Sequence, residues 1–116
     1  MKKNIIKDKS FEFALKVVKL NKLLVNEKKE YVLSKQILRS GTAIGAMVRE
    51  SEHAESKADF INKLSIALKE ANETEYWLEL LYKSDYIGED KFNSLSNDIS
   101  EILRLLISII RSSKAK

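Results

Sequence analysis

From Gln36 to Leu81 the chain reads QILRSGTAIGAMVRESEHAESKADFINKLSIALKEANETEYWLELL. Small residues crowd its first half, with Ser40, Gly41, Thr42, Ala43, Gly45 and Ala46 in close succession. In the second half Phe60, Leu64, Ala67, Ala71, Thr74, Leu78 and Leu81 alternate spacings of four and three, the seam of a heptad helix, interrupted by the polar segment KEANETEYW. A small-residue helix beside a heptad helix predicts two closely packed partners. The same rhythm extends outward on both sides. Leu33, Ile37, Ser40, Ile44 and Met47 continue it in the second helix. Phe13, Val17, Leu20 and Leu24 carry it in the first, with Phe11, Ala14, Val18 and Val25 widening the stripe and Ser10 available as a cap. Phe92, Leu95, Ile99, Ile102, Leu106 and Ile109 carry it in the fourth.

Proline is absent and glycine occurs three times, so the breaks fall near residues 26–31, 53–57 and 85–90, where Tyr86, Ile87 and Gly88 close the third helix. The predicted helices span about 10–27, 33–53, 57–84 and 89–113. Short connections between long helices make neighbours antiparallel. The expected fold is all-α, a single domain over residues 1–116, arranged as an antiparallel up-down-up-down four-helix bundle of left-handed twist.

At 116 residues and 44% hydrophobic content the chain can bury a core without staples. The absence of cysteine excludes disulfides, a thiolate zinc site and a cysteine nucleophile, and fits a reducing cytoplasmic setting. MKKNIIKDKS has lysines but no apolar signal core, and Ile102 to Ile110 is interrupted and short, so no membrane is expected as a partner. The net charge of +4 is uneven: residues 1–31 hold nine lysines against four acids, while residues 61–88 hold three basic residues against five acids. A solvated lysine face and an anionic partner both account for that excess.

Several constellations raise chemistry. Gly41 and Gly45 lack the strand and the Gly-Lys-Ser/Thr ending of a phosphate loop, so close helix packing against Ala67 and Ala71 is the expected role. Glu50 and His53 form one E-x-x-H element, but a di-iron bundle needs two and the chain has a single histidine. No metal, cofactor or catalytic residue is therefore expected. Arg39, Glu50, Glu70 and Glu73 are candidates for a paired polar layer that sets helix register. Tyr76, Trp77, Tyr82 and Tyr86 could stack bases, yet Glu70, Glu73, Glu75, Glu79 and Asp85 surround them, which favours core or subunit contacts. Ile66, Trp77, Leu80 and Leu105 fall off the seams and are candidates for an oligomer interface.

Leu33-Ser34-Lys35-Gln36, Arg39-Ser40-Gly41-Thr42, Ile44-Gly45-Ala46, Glu50, Ser56-Lys57, Asp59-Phe60, Ser65 to Ala71, Glu73-Thr74 and Tyr76 to Leu78 resemble the bacterial four helix bundle protein family. That family includes proteins encoded in intervening sequences of 23S ribosomal RNA genes and is related to accessory proteins of diversity-generating retroelements. Met47 stands where the family usually has asparagine, and Ser51 where it has alanine or glycine. The resemblance implies an all-α bundle that assembles as a ring-shaped homopentamer, without established catalytic residues. It also implies, through the retroelement accessory proteins, a basic adaptor for nucleic acid.

The expectation is thus a non-enzymatic, oligomeric helical module that binds RNA or DNA through a basic surface carried by Lys9, Lys16, Lys19 and Lys22. The alternative is a protein-protein interaction scaffold without nucleic-acid binding.

Overall fold

Asn4, not Ser10, opens the first helix. In the computed structural model, which describes residues 4–116, α1 spans Ile5–Asn26 and the Asn4 side-chain oxygen accepts the Lys7 N–H at 3.1 Å. Ser10 lies inside α1, buried, its hydroxyl donating to the Lys7 carbonyl. Residues 1–3, which hold two of the lysines counted above and begin the predicted domain, lie outside the described residues. The other helices are α2 (Leu33–Ser51), α3 (Lys57–Lys83) and α4 (Glu89–Ala115), within two residues of their expected bounds.

Each boundary has a local cause. Ser56 caps α3 by accepting the Asp59 N–H at 3.0 Å, and Asp59 in return accepts the Glu55 N–H at 3.2 Å. The third helix stops because Asp85 takes a left-handed conformation (φ 67°), which lets the Tyr86 N–H reach back to the Leu81 carbonyl at 3.0 Å. Gly88, read as part of that stop, is instead the extended N-cap of α4.

Each helix packs on its two neighbours, α1 on α2 and α4, and α3 on α2 and α4. Diagonal contacts are absent among the described residues, so the topology is up-down-up-down and the body measures 47 × 26 × 21 Å. The α1–α4 seam is the thinnest of the four. The seams of α1, α3 and α4 supply the core: Phe13, Val17, Leu24, Leu64, Leu78, Ile99 and Leu106 are all buried.

On α2 the buried stripe is Ser34, Ile37, Ser40, Gly41, Ile44, Val48 and Ser51, half of it small. At its centre the Thr74 hydroxyl hydrogen-bonds the Ser40 hydroxyl at 2.9 Å and the Glu70 carbonyl at 2.8 Å. This buried pair, and not Arg39, joins α2 to α3 inside the bundle. Gly41 and Gly45 do bring backbones together, but toward α1. A Cβ at Gly41 would lie 2.9 Å from both Val17 methyls, and one at Gly45 would lie 3.4 Å from the Ser10 carbonyl oxygen. Ala67 and Ala71, their expected partners, are wholly buried on α3, but the atoms nearest to each glycine's Cβ position belong to α1.

Candidate nucleic-acid interface

The four lysines singled out on α1 do not share one environment. Heptad geometry puts Lys9 and Lys16 on the flank of α1 that faces α4, where acids of the fourth helix meet them. Lys9 pairs with Glu101 at 3.0 Å and Lys16 with Asp98 at 2.6 Å, bridging the thin seam. The hydrogen bond to Glu101, reinforced by its charge, raises the Lys9 pKa above the ordinary 10.5. Lys7 likewise pairs with Glu52 at 3.1 Å across to α2. Lys19 and Lys22, one and two turns further on, are exposed, and among the described residues neither has a carboxylate within 4.0 Å.

The unpaired charge continues past the end of α1. Lys28, Lys29 and Lys35 are exposed and equally free of ion pairs among the described residues. Lys19, Lys22, Lys28, Lys29 and Lys35 thus run through the last turns of α1, its connection and the first turn of α2. A groove of about 450 Å³ beside them, between α1 and α4, is lined by Lys16, Lys19 and Lys91 against the single acid Asp90. The C-terminal part of α1 and its connection can attract phosphate by charge, whereas Lys7, Lys9 and Lys16 in the N-terminal part of α1 are held in internal pairs.

The connection itself is rigidly built. Glu30 is buried, and its carboxylate accepts N–H bonds from Val32 at 3.2 Å, Leu33 at 2.9 Å and Ser34 at 2.7 Å, capping α2. The Ser34 hydroxyl donates back to the Glu30 carbonyl at 2.8 Å, and the Asn21 amide donates to the Ser34 carbonyl at 3.2 Å. Burial pushes the Glu30 pKa up, but the N–H donors of Leu33, Ser34 and Val32 outweigh it and hold the carboxyl below the usual value of 4.5. Neither Glu30 nor the lysines at 28, 29 and 35 were singled out from sequence. The signal was present as a Lys-Lys-Glu-Tyr run inside a break, where polarity alone reads as loop.

The other predicted residues find different partners. Arg39 is half-exposed and joins α2 to α3 by pairing with Glu70 at 3.3 Å and with Glu73, so that layer lies on the surface rather than within the bundle. The hydrogen bond from Arg39, then that from the Trp77 indole, holds the Glu73 carboxyl below its ordinary pKa. Glu50 is not part of that layer and pairs with Lys63 at 3.6 Å. His53 lies exposed in the turn after α2, and among the described residues no three His, Asp or Glu side chains converge as metal ligands. No described helix is long and apolar enough to cross a membrane.

Ile66, Trp77, Leu80 and Leu105 are half-buried rather than exposed. Off-seam apolar side chains that face solvent include Tyr76 on α3 and Ile107 on α4, and three on α1, where Phe11, Leu15 and Val18 are 47%, 51% and 36% exposed. At spacings of four and three they form one row on the outer face, opposite Val17 and Leu24. Phe11 and Val18, read as widening the core, therefore point away from it; Arg49 covers the Phe11 ring with its guanidinium 4.9 Å from the centroid. At the two departures from the family pattern, Met47 packs against the core and the buried Ser51 hydroxyl donates to the Val48 carbonyl at 2.6 Å.

Residues 2–108 match the family model described as 23S rRNA-intervening sequence protein. Among solved structures, the chain is similar to a protein of unknown function from the S23 ribosomal protein family of Bacteroides thetaiotaomicron. The two are 67% identical and superpose with a TM-score of 0.90, covering 90% of this chain and 97% of that one. No curated protein matches.

Proposed function

The chain belongs to the 23S rRNA-intervening sequence protein family, and from that premise and its charge map we propose that it is a non-enzymatic accessory protein that binds RNA or DNA. The binding surface is the unpaired lysine run Lys19, Lys22, Lys28, Lys29 and Lys35. The observation that carries this reading is the contrast within α1: Lys7, Lys9 and Lys16 are committed to carboxylates, whereas the lysines at the other end are not. Unpaired lysines release condensed counterions when they meet phosphates, which gives affinity with little sequence readout. Lys9 and Lys16, first grouped with the binding residues, are paired with Glu101 and Asp98 and are left out of the proposed surface.

Fluorescence anisotropy with a structured RNA and a matched DNA duplex at two salt concentrations tests the proposal. Affinity should fall with salt in proportion to the phosphates neutralised, by a log-log slope of about −0.9 per contact on duplex. Lys19→Glu with Lys22→Glu should weaken binding by about tenfold or more. Lys9→Glu with Lys16→Glu should act mainly on stability. Absence of binding by the intact protein at low salt would overturn the proposal.

A second reading, self-association or a protein-scaffold role, is favoured by the exposed Phe11-Leu15-Val18 row, since a solvent-facing apolar line on one helix is the form an interface takes. The two readings are compatible, because a ring or smaller assembly would repeat the basic patch and raise its avidity.

A further inference from the structure

Among the described residues, Tyr31 and Val32 are the most solvent-exposed large apolar side chains, at 58% and 69%, a level Tyr31 shares with Tyr76. Tyr76 lies edge-on to Trp77, 5.0 Å between ring centroids, on the acid-rich third helix. Tyr31 stands among lysines. Between Asn26 and Lys35 the exposed charges are Lys28, Lys29, Lys35 and the single acid Glu27. The other acid of the segment, Glu30, is turned inward with its carboxylate on three N–H groups, so its charge is withdrawn from the surface the lysines present.

The backbone beneath Tyr31 is braced from both sides. Lys29 takes a left-handed conformation (φ 53°), and the Glu30 N–H donates to the Leu24 carbonyl at 2.9 Å. On the other side the Glu30 carboxylate holds the N–H groups of Val32, Leu33 and Ser34. A ring presented on an already ordered loop loses little further freedom when a ligand stacks on it. An exposed aromatic face flanked by cations is the arrangement that recognises an unpaired base between phosphates.

Resting on the nucleic-acid reading above, we propose that Tyr31 is a stacking platform for an unpaired nucleobase, with Lys28, Lys29 and Lys35 holding the adjacent phosphates. The preferred ligand is then single-stranded or looped RNA or DNA rather than continuous duplex, whose bases are already stacked on one another.

The test is anisotropy binding of the full chain to a fluorescent single-stranded 12-mer, as RNA and as DNA, and to a blunt duplex at the same salt. Wild type should bind the single strands more tightly than the duplex. Tyr31→Ala should lose about tenfold on the single strands and leave duplex affinity unchanged, while Tyr31→Phe, which keeps the ring, should retain wild-type values. Equal loss on both ligands, or no loss on the single strands, would overturn the stacking role while leaving electrostatic binding in place. If wild type binds neither ligand, the nucleic-acid reading itself fails. If Tyr31→Ala abolishes self-association in sedimentation with single-strand affinity unchanged, Tyr31 is a contact between copies and the proposal is overturned. Circular dichroism on each variant separates these results from loss of fold.

Discussion

A Cβ at Gly41 would press on both methyls of Val17 at 2.9 Å, and a β-branched neighbour has few rotamers by which to yield. Overpacking of this kind costs about 1–3 kcal/mol, against about 1 kcal/mol gained from replacing a mid-helix glycine. Gly41→Ala should therefore lose about 1 kcal/mol by urea unfolding, whereas Gly45→Ala, whose Cβ meets its nearest atom at an ordinary contact distance of 3.4 Å, should gain up to about 1 kcal/mol. Glu30 makes a second prediction at this scale. Its depressed pKa means that its stabilisation is present above the unfolded value near 4.5 and is lost as pH falls through the lower folded value. Glu30→Gln should reduce stability at pH 7 by about 1 kcal/mol, and the difference from wild type should shrink as pH is lowered past that window in denaturant titrations. The glycines were legible as packing residues, but not which neighbour they met, because a glycine carries no side chain to indicate a direction. Glu30 was not legible at all, since its role depends on turning back over a helix that begins three residues later.

At the scale of the element, the apolar spacing located the stretches and local backbone chemistry trimmed them. The seams of α3 and α4 were readable because large side chains repeat at fours and threes, while the stripe of α2 was only half readable because Ser34, Gly41 and Ser51 bury without being hydrophobic. The expected Ser10 cap was displaced by Asn4, one turn and a half upstream, since the polar residues between them lie on the outer face of a helix that had already started. Both α1 and α3 are followed by a non-glycine residue in the left-handed region, Lys29 and Asp85. That conformation costs an L-residue about 1–2 kcal/mol, partly offset on substitution by the extra freedom glycine gives the unfolded chain. Lys29→Gly should accordingly raise stability by about 0.5 kcal/mol, seen as a higher Tm, with Lys29→Ala as the control that removes the charge without relieving the backbone.

For the whole molecule, the exposed outer row of α1 is the surface to test as a contact between copies. Leu15 is 51% exposed, so Leu15→Glu should leave the folded monomer about as stable as wild type, within about 0.5 kcal/mol. If the row is the contact between copies, the variant should sediment as a monomer at concentrations where wild type sediments as a larger species. Equal sedimentation of the two would rule the row out as that contact. The sequence had placed this surface on α3 and α4 because Ile66, Trp77, Leu80 and Leu105 leave their seams. In the bundle those side chains are half-buried, with Trp77 and Leu105 packed against the core.

What the amino-acid order determined by itself was the number of helices, their order, their antiparallel packing and their buried seams, because each is a periodic property of one segment summed over many residues. What only the tertiary structure decided was which charges are free. Lys9, Lys16, Lys19 and Lys22 look alike along the chain, and an ion pair depends on the acid that another helix brings within 4.0 Å. Asp98 and Glu101 lie about eighty residues or more from the lysines they hold, so no local pattern could separate the paired cations from the unpaired ones.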